Sequence, residues 1–74
     1  MILMNSVTCL ASMEKTFADI GVTSVWDFFS RIAADGTETL WAQGGTRGRT
    51  IHCKDRDELR NIFRNFRKYG YVAV

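Results

Sequence analysis

The strongest constraint on this chain lies near its C-terminus, where Leu59, Ile62, Phe63, Phe66 and Tyr69 recur at three- and four-residue spacing. At 100° per residue these side chains fall on an arc of about 120°, the apolar stripe of an amphipathic helix. Both ends of that helix are marked. Asp55, with Glu58 three residues on, has the form of a capping box, and Asp57 adds negative charge in the first turn, where the helix dipole favours it. Gly70 supplies a left-handed stop. The spacing predicts a helix over residues 56–69, and a helix with one apolar face needs a second layer to bury it against.

The rest of the chain has to supply that layer from little material. With 74 residues it holds one hydrophobic core, and chains of this size bury only about 60 to 65% of the surface they expose when unfolded. A composition of 46% apolar and 24% charged residues is globular, and with no proline, repeat or low-complexity tract to mark a boundary, residues 1–74 read as a single domain.

Upstream, Leu10, Met13, Phe17 and Ile20 are spaced to line one helix face, with Thr8 or Ser12 as cap and Gly21 as stop, so an N-terminal helix is expected over residues 8–21. Residues 24–34 fit either a helix or a strand. Their aromatic and β-branched content, leading into Asp35-Gly36, favours a strand and a two-residue hairpin turn. That turn would set Ile32 opposite Thr39, Ser30 opposite Trp41 and Phe28 opposite Gln43. One sheet face then carries Trp26, Phe28, Ile32 and Trp41 as the core candidate. The other carries Val25, Phe29, Leu40 and Ala42 among charges, a face either covered by the N-terminal helix or left as an apolar interface for a second copy or another protein. A short strand near residues 49–53 follows a Gly-rich loop, and residues 71–74 could add one more. The expected class is α+β: an N-terminal helix, a three-stranded antiparallel sheet with its hairpin at Asp35-Gly36, and the C-terminal helix packed on the sheet.

Charge is concentrated rather than large. The formal net charge is only +2, yet Arg56, Arg60, Arg64 and Arg67, with Lys68 at the margin, share one arc of the C-terminal helix. There, four-residue spacing makes like charges repel. The helix dipole accounts for cations in the last turn but not for Arg56 and Arg60 in the first. An electropositive surface awaiting an acidic protein or nucleic acid explains the stripe, and a solvated helix face explains it equally simply. Arg47 and Arg49, in the loop over residues 44–49, could extend the surface, although that loop has no Gly-Lys-Ser/Thr of a nucleotide-binding turn and also fits a plain connection.

Reaction chemistry is poorly represented. His52 and Cys53 are neighbours in a strand and point to opposite faces, so they make no dyad. One histidine and no C-x-x-C argue against a metal, and nothing points to a cofactor. The opening Met1-Ile2-Leu3-Met4 is cut off by Asn5 and Ser6, too short for a membrane span or signal-peptide core. A cytoplasmic protein with Cys9 and Cys53 as free thiols is expected. In size and format, a compact domain without reaction chemistry, the chain resembles small phage-encoded inhibitors of host defence, including anti-CRISPR proteins. The resemblance implies a non-enzymatic, stoichiometric protein-binding role, covers architecture alone, and has no motif behind it. The alternative is a DNA- or RNA-binding protein that contacts phosphates through the same arginines.

Overall fold

The structure, a computed structural model, describes residues 6–74. Strands β1 (Ser6–Phe17), β2 (Val22–Ile32), β3 (Glu38–Gly44) and β4 (Arg49–Cys53) precede helix α1 (Arg56–Lys68) and the short strand β5 (Val72–Ala73). All five strands form one antiparallel sheet in the order β4-β3-β2-β1-β5. The protein is thus mostly β, with one helix laid on one face of the sheet.

The N-terminal helix expected over residues 8–21 is not formed. The segment is β1, paired with β2 all the way from Ser6↔Ile32 to Phe17↔Val22. A run of cross-strand pairs along β2 outweighs a local helical spacing that has only a few apolar residues to bury. The spacing misled because β1 contains a bulge: Cys9 opposes Phe29 and Ala11 opposes Phe28, so Leu10 is the extra residue and the in/out alternation changes phase there. Gly21 does take the left-handed conformation (φ 65°) expected of a helix stop, but it uses it in the β1–β2 turn. Ile20, expected on a buried helix face, is exposed at the tip of that hairpin.

The sheet has five strands rather than three, and its β2–β3 register differs by one residue from the expected one. The Asp35-Gly36 turn is the centre of a three-residue loop. The Ala33 N–H donates to the Thr37 carbonyl at 2.9 Å, the Gly36 N–H donates to the Ala33 carbonyl at 2.9 Å, and Gly36 has φ 89°. That is a tight turn followed by a left-handed glycine, the usual form of a three-residue hairpin loop. Ser30 therefore faces Leu40, and Phe28 faces Ala42. Because side chains alternate with period two, the slip turns β3 over: Leu40 and Ala42 enter the core, and Trp41 leaves it for the opposite face. The expected face of Val25, Phe29, Leu40 and Ala42 is split between the two sides of the sheet, as is the expected core of Trp26, Phe28, Ile32 and Trp41.

The observed core is Met13, Trp26, Phe28, Leu40, Ala42 and Leu59, with Ala11, Ile51, Cys53, Ile62, Phe63, Phe66 and Tyr71 packed against it. Phe28, on the central strand and 1% exposed, meets the rings of Phe63 and Phe66 edge-on at 5.4 and 6.0 Å. Trp26 lies 4.9 Å from Phe66. These contacts join sheet to helix. At the N-terminus of α1 the Glu58 N–H donates to Asp55 Oδ1 at 2.9 Å, and the Lys54 N–H donates back to Glu58 Oε1 at 3.4 Å. At its C-terminus the Tyr71 N–H donates to the Phe66 carbonyl (3.0 Å) and the Gly70 N–H to the Arg67 carbonyl (3.1 Å), a Schellman turn sealed by the Phe66–Tyr71 ring contact at 5.1 Å. Tyr69, expected on the buried stripe, is 71% exposed, and Tyr71 packs below the helix instead, its hydroxyl donating to Ser24 Oγ at 2.8 Å.

Gly44 is required by a close approach: a Cβ there would run into the Val25 backbone. Replacing Phe28 by Ala should destabilise the fold by about 3 to 5 kcal/mol in chemical denaturation, the cost of emptying a well-packed aromatic site. A loss under about 1 kcal/mol would contradict its central place in the core.

Candidate functional site: the arginine flank of the helix

The backbone of helix α1 runs nearest β3 and β4, and its Phe63 and Phe66 reach over β2 to Trp26 and Phe28. Its other flank overlooks β1 and β5, and residues 56, 60, 63 and 67 recur along that flank at helical spacing. Leu10, Ala11, Phe28, Leu59 and Phe63 line a groove there of about 200 Å³, with Arg56 and Arg60 on its rim. A second hollow, formed by Phe63, Arg67, Gly70, Tyr71, Val72 and Ala73, continues from the same Phe63. The two hollows, which meet at Phe63, are together called the trench; the first has an apolar floor, and Arg56, Arg60 and Arg67 are among their lining residues. Leu10 reaches it because the bulge breaks the alternation of β1.

The cations of the stripe do different work. Arg56 holds Glu38 with two hydrogen bonds, Nε to Oε1 at 3.0 Å and Nη2 to Oε2 at 2.7 Å. Ser30 Oγ donates to the same carboxylate at 2.9 Å. The Arg56 guanidinium, seconded by Ser30, holds the Glu38 carboxyl below its ordinary value, and Arg56 is correspondingly raised. Arg56 thus has a structural task, tying the first turn of α1 to the start of β3. Arg60 meets Asp57 at 3.5 Å with both side chains exposed, a pair that contributes little. Arg64 donates only to the Asn61 amide oxygen at 3.4 Å. Among the described residues, Arg64, Arg67 and Lys68 form no ion pair. Arg47 and Arg49 line a third hollow with Phe17, Ser24, Trp26, Gly45, Thr46 and Tyr71, which shares only Tyr71 with the second one. The structure therefore places Arg60 and Arg67 in the linings of the first two hollows with Arg64 on the adjoining helix surface, and Arg47 and Arg49 in a third hollow on the far side of Tyr71.

The helix-free face of the sheet carries Val25 and Phe29 from the expected apolar set, without Leu40 and Ala42, which are 3% and 0% exposed on the helix side. One row across this face reads Cys9, Phe29, Trp41 and His52 through successive strands. Phe29 and Trp41 stack at 5.4 Å, and the Arg31 guanidinium sits 6.0 Å from the Trp41 ring.

His52 faces away from Cys53 on β4, and Cys9 shares its face but stands three strand spacings away, about 14 Å. Burial, then the charges of Glu58 and Asp55, push the Cys53 thiol above its ordinary value, which lowers its thiolate fraction. No group of three or more His, Cys, Asp or Glu side chains among the described residues is placed to hold a metal ion. No helix there is long and apolar enough to cross a membrane.

Sequence reasoning found the cations but missed the trench. Its only trace in the chain is the adjacent apolar pair Leu10-Ala11, which breaks a two-residue alternation and which reads as a helix until the partner strand is known.

Comparison with protein-family models, with curated proteins and with solved structures finds no match. Any functional reading therefore stands on the chain's own geometry. The Glu38–Arg56 tie makes one measurable demand. Glu38 is held below its ordinary value, so the unfolded chain binds its proton more readily than the folded one. The pair's contribution is present above the ordinary glutamate range and is lost as the pH falls through the folded value. In acid-titrated unfolding, Glu38→Gln should flatten the drop in stability that begins as the pH falls through the ordinary glutamate range. An unchanged acid profile would show that the pair contributes nothing.

Proposed function

We propose that this chain is a non-enzymatic protein-binding module, in format a small stoichiometric inhibitor or regulator, that recognises an acidic protein surface through the flank of α1. The observation that supports the reading most is the trench itself. Arg60 and Arg67 border a floor of Leu10, Ala11 and Phe63, and Arg64, next to them on the helix, forms no ion pair among the described residues. Charge beside accessible apolar surface suits a protein partner, whose interfaces combine arginine and aromatic anchors with apolar contact. A phosphate backbone has no use for the apolar floor. Free Cys9 and Cys53 suit a reducing compartment, and a cytoplasmic setting goes with this reading.

Nucleic-acid binding remains the second reading, supported by Arg47 and Arg49 beside the rings of Phe17, Trp26 and Tyr71 in their own hollow. The two readings separate in one experiment. Capture from the source cell with the unaltered protein, and with Arg60→Glu and Arg64→Glu combined, should yield a protein partner that the double variant loses at least about tenfold, the scale of removing charge-complementary contacts. Capture of nucleic acid, with affinity falling about 0.7 to 0.9 log units per log unit of salt for each phosphate contacted, would replace the protein reading by the second one. Equal capture by both forms would overturn the role of the arginine flank.

A further inference from the structure

Beside the trench lies an open sheet edge. β1 pairs along its whole length with β2 on one side, but on the other it meets only β5, through Met13↔Ala73 and Glu14↔Val72, with the Val74 N–H donating to the Ser12 carbonyl at 3.0 Å. Among the described residues, no strand covers the edge from Ser6 to Ala11. An uncovered edge presents a row of backbone donors and acceptors that pair readily with another extended chain. The line of β5, continued past Ser12, passes along this edge and beside the groove formed by Leu10, Ala11 and Phe63 under Arg56 and Arg60.

We propose that the partner docks as an extended acidic segment that adds a strand to the free edge of β1, collinear with β5, and lays alternate side chains into the trench. The inference rests on the protein-binding reading and specifies its geometry. Three observations converge on this occupant. The edge supplies backbone hydrogen bonds for an extended chain. The period-two alternation of a strand sends every second side chain toward the helix, where the groove floor is apolar and can take an aliphatic stem. Beside that floor stands Arg60, whose exposed pair with Asp57 is weak, Arg67 lines the second hollow with no ion pair among the described residues, and no carboxylate lines either hollow, so the side chains entering it should end in carboxylates. Glutamate combines the stem and the charge. The bulge at Leu10 limits regular pairing to a short stretch, which suits a segment of about five or six residues rather than a long strand.

The test uses the whole chain and a synthetic probe, a blocked six-residue peptide of alternating valine and glutamate, with two further peptides of the same sequence, each carrying N-methyl groups on one of the two alternate sets of amides. The N-methylated form keeps charge and side chains but cannot donate to a sheet edge from those positions. All three are titrated by NMR with amide exchange as readout. The expected result is binding of the first peptide with slowed exchange confined to amides within residues 6–11, at least a tenfold weaker affinity for the N-methylated peptide that blocks the pairing register, and loss of binding in the Arg60→Glu, Arg64→Glu protein. N-methylation is placed on each of the two alternate sets in turn, so that one set weakens binding and the other does not. Equal affinity for all forms without edge protection would overturn strand addition while leaving recognition of acid by the arginine flank intact. Absence of peptide binding, in a protein whose captured partner is still lost on charge reversal, would overturn the strand geometry alone. Protection of residues 6–11 by an oligonucleotide instead of the peptide would overturn the acidic-segment occupant.

Discussion

The contact of Phe28 with Phe63 and Phe66 is what the rest of this small structure depends on. β2 is the middle strand of five, and Phe28 sits near its centre, so the one helix has a single place to bury its apolar stripe. Burying an aromatic side chain of this size contributes on the order of 2 to 3 kcal/mol. That is a large fraction of the margin available to a domain this short. The Asp55 cap, the Schellman turn at Gly70 and the Arg56–Glu38 tie all serve to hold α1 in the position that this contact requires.

Among the described residues, one helix and one sheet leave one face of the sheet uncovered. The consequence is an asymmetric molecule: a packed side holding Met13, Trp26, Leu40 and Ala42, and an open side on which Phe29 and Trp41 stack under Arg31. Antiparallel sheets tolerate such one-sided burial. The helix also sits off-centre, toward β3 and β4, and this offset leaves the trench above β1. The basic rim and the apolar floor are thus products of the same packing choice: the flank of α1 that does not reach the sheet carries the arginines, and the strand it fails to cover carries Leu10.

What the sequence made legible was local. The ends and inner face of α1 follow from residues within one helix length, and Asp55, Glu58, Gly70, Phe63 and Phe66 all act as their spacing implies. What it concealed was non-local. Residues 8–21 hold a helical spacing that loses to pairing with β2, a competition decided by a strand eleven residues long that the segment cannot see. The β2–β3 register turned on whether Asp35-Gly36 forms a two- or a three-residue loop, and that single residue decides which of Trp41 and Leu40 is buried. For the candidate site the same division holds. The cations were visible one by one, but the tie that removes Arg56 from the free set depends on Glu38, eighteen positions away in the chain. That Arg47 and Arg49 line a third hollow depends on where the sheet places their loop.

The register of β3 decides which of its side chains join Phe28 under the helix and which stand on the open face. The two tryptophans report on it directly. In Trp26→Phe and Trp41→Phe variants, each with a single tryptophan left, quenching of fluorescence by iodide compares the two environments. Trp26 should be shielded, as its 7% exposure requires, and Trp41 on the helix-free face should be quenched several-fold more readily. Equal shielding of both would place Trp41 in the core, as the register shifted by one residue demands, and would contradict the structure described.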